Sequence, residues 1–529
     1  MERKNSKIKF VGLHAHSVAG SIFDGLGFPQ EHMEFAYSNG SDALALTDHG
    51  NMNGLSYQVL HARKMKAEGK NFKPIFGCEA YFVPSIEEWK EEYEQAMLDK
   101  KKARAAKKAG ASGATVEDEG ASKGKSNSIL RRRRHLVLLA QNQKGLNNLF
   151  KLVSESYKDE NFYRYPRMDY KMLKEHGEGI IASSACLGGV YAGNYWENRD
   201  EGPEAVLEAM RETTRRMVDV FGDRWHGEIQ WNNVPEQHEL NKFVIQVCDE
   251  FGVKLISTAD SHYPNREAWK DRELYKRLGW LGKGRPQWAD SESELPISVE
   301  EIGYELYPKN GDEMWESYKH YSDMCNTTYD DDLVLDSIEE THRIAFERID
   351  DFLPDNTVRL PSFVVPAGNT ATEALIKFSI EGLNKLGLAD DRRYLERLKS
   401  ELKVIDDRGF SKYFLTMKAI VDVTDTMMLA GPGRGSAAGS LAAYCLGITQ
   451  VDPIKYDLLF SRFLRSDAKD YPDIDYDISR PMELKDRLIE LWGEDCVAPI
   501  SNWNTLQLKS LIKDISKLYD IPFQEVNAV

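Results

Sequence analysis

Seven short apolar runs alternate with longer helical patterns between about residues 8 and 263, and most of these runs begin or end at a histidine, an acid or a cysteine. The runs read KFVGLHA, ALALTDH, KPIFGCEAYFV, HLVLLA, GIIASSA, HGEIQW and VKLISTAD. Between them lie stretches such as GLSYQVLHARKMKAEG and EAVLEAMRETTRRMVDVF, whose apolar residues recur at helical spacing. Such alternation builds repeated strand-helix units, not a sandwich or a helix bundle, and seven of them approach the eight of a full barrel.

In a strand-helix barrel the strand ends converge on one mouth, so the polar residues there meet. His14 and His16 close the first run, and their spacing puts both rings on one strand face. Asp24 follows in SIFDG, His49 ends the second run, and Glu79 lies in the third. His135 opens HLVLLA, Cys186 follows the fifth run, and Asp260 with His262 ends the last. Imidazole, carboxylate and thiolate are ligands for zinc, manganese or iron, and this set suffices for two or three ions. A lone histidine at a strand end is more often a hydrogen-bonded surface or core residue. The joint pattern carries the argument, because bland explanations would otherwise have to coincide at every strand.

Composition narrows the remaining classes. With 529 residues, 41% of them hydrophobic and 29% charged, the chain can hold two to four domains. A net charge of -16 excludes general coating of nucleic acid, so any DNA contact must be local. Six cysteines without a C-x-x-C pair suggest reduced thiols. The polar start MERKNSKIKF and the lack of an apolar run of about 20 residues predict a cytoplasmic protein with no membrane span.

The strand-helix region, assigned 1–285, is interrupted at 85–134 by an Ala/Lys-rich helix pattern, a Gly/Ser-rich stretch and four consecutive arginines, Arg131 to Arg134. This composition predicts an exposed, partly disordered insertion, whose basic run reads as a solvated linker before it reads as a phosphate contact. A helical connector is expected over 286–365, closing on the proline-marked LPDNTVRLPSFVVPAGNT.

A second constellation follows over 366–505. GPGRGSAAGS places Gly435 between Arg434 and Ser436, where backbone N–H groups could meet a triphosphate. It has no G-K-[ST], so by itself it is an ordinary flexible turn. PDIDYD then sets Asp475 and Asp477 on one face of an extended segment, where two carboxylates can hold Mg2+. Asp473 shares the alternation as a supporting or packing residue.

The loops HAHS, TDHGN, GCEAY, SSACLGG and TADSHY together resemble the PHP (polymerase and histidinol phosphatase) domain. That resemblance implies a distorted (β/α)7 barrel, with His14, His16, Asp24, His49, Glu79, His135, Cys186, Asp260 and His262 as its metal ligands for Zn2+ or Mn2+. The runs GFSKYFLTMKAIVD, GPGRGSAAGSLAAYCLGITQVDPIKYDLLFSRFL and YPDIDYDIS resemble the bacterial DNA polymerase III alpha subunit family. This second resemblance implies an α+β palm like that of the polymerase beta nucleotidyltransferases. It assigns Asp475 and Asp477 to catalytic Mg2+, and Arg434, Gly435, Ser436 and, less directly, Arg462 to the incoming nucleotide. Primer-template DNA and dNTPs become the expected substrates, with 3'-5' exonuclease proofreading at the barrel.

Family palms need a third carboxylate on a later strand, and fingers, clamp-binding and OB segments are also missing, so the chain resembles a truncated or split polymerase whose thumb begins at 506–529. A second polypeptide would supply the rest, a sliding clamp would bind only through that missing region, and Trp492 and Trp503 on an apolar face between Leu484 and Leu518 are candidate anchors. The alternatives are a free-standing phosphoesterase for a small phosphorylated metabolite and a non-catalytic assembly module.

Overall fold

The computed structural model of the chain describes residues 3–108, 133–279, 299–355, 357–361, 365–500 and 507–528. It divides into two compact units, Met1–Asp355 with Leu506–Val529, and Asn356–Thr505.

In the first unit the expected runs become a curled six-stranded sheet. Its strands are β1 (Ala43–Leu46), β2 (Lys73–Phe82), β3 (Arg134–Ala140), β6 (Ile180–Ser183), β7 (Trp225–Gln230) and β8 (Lys254–Thr258), hydrogen-bonded in that order. A two-residue pair, β4 (Phe162–Tyr163) and β5 (Tyr165–Pro166), stands apart. The first run is not a regular strand, but it joins both edges of the sheet, bridging Gly12 to Leu44 and Ala15 to Ser261. Seven staves therefore close into a barrel.

The barrel is distorted at one stave. β3 runs antiparallel to both β2 and β6, whereas the pairs β1–β2, β6–β7 and β7–β8 are parallel. The segment that leaves β2 at the mouth consequently returns at the mouth. It begins with the helix Ile86–Lys108, and the Gly/Ser-rich remainder of the expected insertion lies outside the described residues.

Helices form where sequence signals converge. Pro29, Pro203 and Pro235 each open a helix, where a missing N–H costs nothing. Asn310 and Glu313 form a reciprocal cap on Gly311–Met324. That helix and Asp331–Arg343, both within the expected connector, belong to the first unit, and Thr341 accepts a hydrogen bond from the Val11 amide. Inside the barrel, Val11, Leu13, Ala45, Ile75, Val137, Leu139, Ile181 and Ile256 pack with Ile344 and Ile349, which close the end opposite the mouth. Outside it, Phe76, Leu136, Leu138, Trp225 and Ile229 pack against the helices.

The second unit is helical, with Ala371–Lys385, Arg392–Asp407, Ser411–Met427, Leu441–Cys445 and Pro481–Trp492 around a core that includes Leu383, Leu398, Phe414 and Leu441. The sheet of a palm is present here only as one antiparallel bridge, Ala430 to Ile478, among the described residues. Among the described residues the aspartate segment has no further strand beside it to complete a ladder. No helix among the described residues is long and apolar enough to cross a membrane.

Candidate metal centre and a glycine-aspartate site

All nine expected ligands meet at the barrel mouth, and Glu79 is their hub. Its position in β2 faces inward, and its carboxylate is fully buried. Oε1 lies 3.2 Å from His14 Nε2 and 3.1 Å from His135 Nδ1, and Oε2 lies 3.6 Å from His16 Nε2 and 2.5 Å from His49 Nδ1. Asp260 Oδ1 stands 3.2 Å from both His14 Nε2 and His16 Nε2. Asp24 Oδ2 reaches His49 Nε2 at 3.1 Å and His262 Nε2 at 3.5 Å. Cys186 Sγ lies 3.6 Å from His135 Nδ1 and 3.8 Å from Glu79 Oε1. His135 reaches the mouth because its strand is reversed: at the start of β3 it faces Tyr81, near the end of β2.

Five inward-facing atoms, His14 Nε2, His16 Nε2, His49 Nδ1, Glu79 Oε2 and Asp260 Oδ1, are buried without a well-formed hydrogen bond and crowd against one another. Buried polar atoms are ordinarily paired, so a converging set without such bonds fits cations as the missing partner. Three groups, His16/His49/His262, His14/His16/Glu79 and His49/Glu79/His135, are each tight enough to share one ion.

Outer contacts fix which nitrogen of three of the rings faces inward. His14 donates from Nδ1 to Glu228 Oε1 at 2.7 Å, and Ser183, Thr258 and Gln230 donate to the same carboxylate. His16 donates from Nδ1 to Ser21 Oγ, which donates to Asp48 at 2.8 Å, and His262 donates from Nδ1 to the Asp260 carbonyl. Each leaves Nε2 as the free ligand atom. Arg272 donates to Asp24 at 2.6 Å. Three loops carry strain where ligands project, with non-glycine residues in the left-handed region at Phe23, Ala185 and Asp260.

Electrostatics follow from this crowding. Burial, with the rings of His49 and His262 alongside, holds His16 well below the ordinary imidazole range. Burial opposes the ionised form of Asp24, but His262, His49 and Arg272 outweigh it and keep the carboxyl well below its usual range. Burial also raises Asp48 to about 6.

Sequence reasoning did not single out Glu228, Asp48, Ser21 or Arg272. Glu228 had a signal, since it is the one carboxylate within the strand run HGEIQW.

In the second unit the glycine turn and the aspartates come together. Arg434 Nη1 lies 3.2 Å from Asp477 Oδ1, and its Nη2 lies 3.8 Å from Asp475 Oδ1. A Cβ on Gly435, which sits at φ +66°, would come within 2.2 Å of Asp475 Oδ2. The Gly431 amide donates to the Asp477 carbonyl at 2.9 Å. Asp473, Asp475 and Asp477 share an exposed face, while Ile474 and Tyr476 pack on the core. Asp473 is therefore no packing residue. Ser436 is exposed and begins the 3-10 turn Ser436–Gly439, which adjoins the turn Phe460–Arg462, and the exposed Arg462 pairs with neither aspartate among the described residues. Glu401, buried and also missed from sequence, accepts from Ser440 Oγ and the Ala442 amide and so pins the end of the glycine-rich segment. Trp492 is half-buried, and Trp503 lies outside the described residues.

Comparison with known proteins follows the same division. The family model described as the PHP domain matches residues 12–232, and the one described as the bacterial DNA polymerase III alpha NTPase domain matches residues 373–529. DNA polymerase III subunit alpha of Aquifex aeolicus is 34% identical over 525 residues, which is 97% of this chain and 40% of that protein. That of Borreliella burgdorferi is 32% identical over 526 residues, 98% of this chain and 40% of its own length. The chain thus spans about 40% of the length of these curated relatives. A solved amidohydrolase from Chromobacterium violaceum aligns with 50% of this chain at 14% identity and a TM-score of 0.26.

Proposed function

From a chain that joins a PHP domain to sequence of the bacterial DNA polymerase III alpha NTPase domain, we propose the N-terminal portion of a replicative DNA polymerase, with a metal-dependent 3'-5' exonuclease at its barrel mouth. The observation that carries the barrel's part is the convergence of nine candidate ligand side chains, five of whose inward atoms are buried without a well-formed hydrogen bond. When bound, two or three Zn2+ or Mn2+ ions supply positive charge against phosphodiester oxygens and lower the pKa of water. The chain's own residues make that geometry rigid. Glu228, Ser21 and the Asp260 carbonyl hold three imidazoles with Nε2 inward, and Arg272 fixes Asp24, the most open ligand.

Asp475 and Asp477 are the proposed Mg2+ ligands of the polymerase site, with Arg434, Gly435 and Ser436 beside the nucleotide's phosphates. Arg462, exposed on an adjoining turn, is a weaker member of that set. The remainder of the site comes from sequence beyond the region shared with the relatives, on this or a second polypeptide. Primer-template DNA and dNTPs are the proposed substrates.

The test is degradation of a primer with a mismatched 3' end, with and without Zn2+ or Mn2+, alongside a His14→Ala/His16→Ala variant. Metal-dependent degradation that the variant lacks supports the reading. A metal-loaded wild-type protein that leaves the primer intact would falsify it.

A further inference from the structure

An aromatic and arginine strip runs outward from the metal centre. The Tyr81 ring stacks on His49, at 6.0 Å and 12°, and meets His135 at 5.5 Å. Tyr165 packs edge-on against Tyr81 at 5.1 Å, and the Arg133 guanidinium lies 3.9 Å over Tyr165 and 5.3 Å over Tyr81. Tyr165 belongs to the hairpin of β4 and β5, whose tip, Arg164, is exposed at φ +60°. At the hairpin's other end Phe162, 40% exposed, stacks on Tyr157, 47% exposed, at 5.7 Å and 24°.

The hairpin is held firmly for so small an element. Buried Arg167 donates to the carbonyls of Tyr163 at 2.9 Å and Tyr165 at 3.0 Å, with its guanidinium over Trp89 at 4.1 Å. Met168 continues the chain into hydrogen bonds with Tyr81 and Val83 of the β2 segment. Gly50, next to the ligand His49, admits the hairpin: a Cβ there would come within 2.9 Å of Pro166 and 3.0 Å of Tyr81.

We propose that the hairpin Phe162–Pro166 and Arg133, backed by the buried Tyr81, form a stacking subsite that seats the last nucleotides of a single-stranded DNA end at the metal centre. This rests on the exonuclease reading and names how its substrate is held. Aromatic faces accept any base, and arginines between them meet the phosphates, which is how single strands are bound without sequence preference. Rings stand both against the ligands themselves and in the exposed pair Tyr157 and Phe162, a spread that serves a polynucleotide and would be idle for a small phosphoester. An acidic chain of net charge -16 also needs such a local basic strip to accept DNA.

The test uses the full chain and an oligothymidylate with a phosphorothioate last linkage and a 3'-terminal 5-iodouracil. Binding is read by anisotropy and position by photocross-linking, neither of which needs turnover, so the result stands apart from the nuclease assay. Tyr165→Ala is expected to weaken binding about tenfold at unchanged metal content, and Tyr165→Phe to bind as wild type. The wild-type cross-link is expected within 157–168. Equal binding by wild type and Tyr165→Ala, equal loss in both variants, or cross-links only elsewhere would each overturn the subsite.

Discussion

Glu228 touches no expected substrate, yet His14 depends on it for the orientation that aims Nε2 at Glu79 and Asp260. Glu228→Ala is expected to lower metal affinity about 10–100-fold, measured by chelator competition, and to leave the hydroxyls of Ser183 and Thr258 without their acceptor. Unaltered affinity would mean that ring orientation here does not depend on this carboxylate. A pH effect belongs to another residue of the same strand. Burial, with Arg348 nearby, lowers His226 to about 4, so it is neutral in the folded chain. In the unfolded chain it protonates near the ordinary value of about 6.5. The unfolded state therefore takes up the proton first as pH falls, and stability present above 6.5 is lost progressively down to about 4. At pH 5 the loss from this site is about 2 kcal/mol. Urea midpoints at pH 7 and pH 5 should differ by less in His226→Gln than in wild type. The candidate ligands were legible in sequence because most are metal-binding types at the edge of an apolar run, with Glu79 inside the third run and Asp24 in the loop after the first. Glu228 and Arg272 were less so, because a carboxylate within a strand and an arginine within a helix are each ordinary until their neighbours are known.

At the scale of elements, periodicity revealed the seven staves but not the direction of one of them. HLVLLA is apolar in either sense, and nothing in its spacing distinguishes a parallel from an antiparallel neighbour. Its reversal decides the site, since a β3 parallel to β2 would carry His135 to the closed end of the barrel. The first run is a different case: His14 and His16 lie on a stave held by bridges at both edges instead of a regular ladder, so propensity alone overstates its regularity. In the second unit the glycine turn was legible only as a flexible turn, and its contact with the aspartates gives it a specific task. Gly435→Ala would place a methyl group 2.2 Å from Asp475 Oδ2 at a backbone angle that side chains rarely adopt. It is expected to destabilise the Asn356–Thr505 unit by about 1–3 kcal/mol, read as a lowered urea midpoint for that unit's transition. A variant as stable as wild type would show that the turn can shift away from the aspartate.

Across the whole molecule the two sites differ in completeness. The barrel mouth gathers nine side chains of metal-binding type and the groups that orient them, and the sequence pointed to them through residue types repeated near stave ends. The aspartate site has two exposed carboxylates spanned by Arg434, and among the described residues no third His, Cys, Asp or Glu completes a metal-sized group with them. Large apolar side chains also stand exposed in that unit, with Leu429 at 84%, Tyr456 at 61%, Leu459 at 59% and Met482 at 63%. A surface of this kind is expected where further protein packs, and the relatives' sequence is more than twice as long as the part shared here. Two-ion phosphoryl transfer depends on a fixed coordination sphere and a preorganised pocket. The 529-residue chain is accordingly expected to give no detectable extension of a primed template with Mg2+ and dNTPs while it still removes a mismatched 3' nucleotide with Zn2+ or Mn2+. Adding a polypeptide that corresponds to the remaining portion of the relatives should restore extension, and Asp475→Ala in this chain should abolish the restored activity while leaving the excision rate unchanged. Extension by the chain alone would mean that two carboxylates and Arg434 suffice. Restored extension that survives Asp475→Ala would place the polymerase chemistry outside this site.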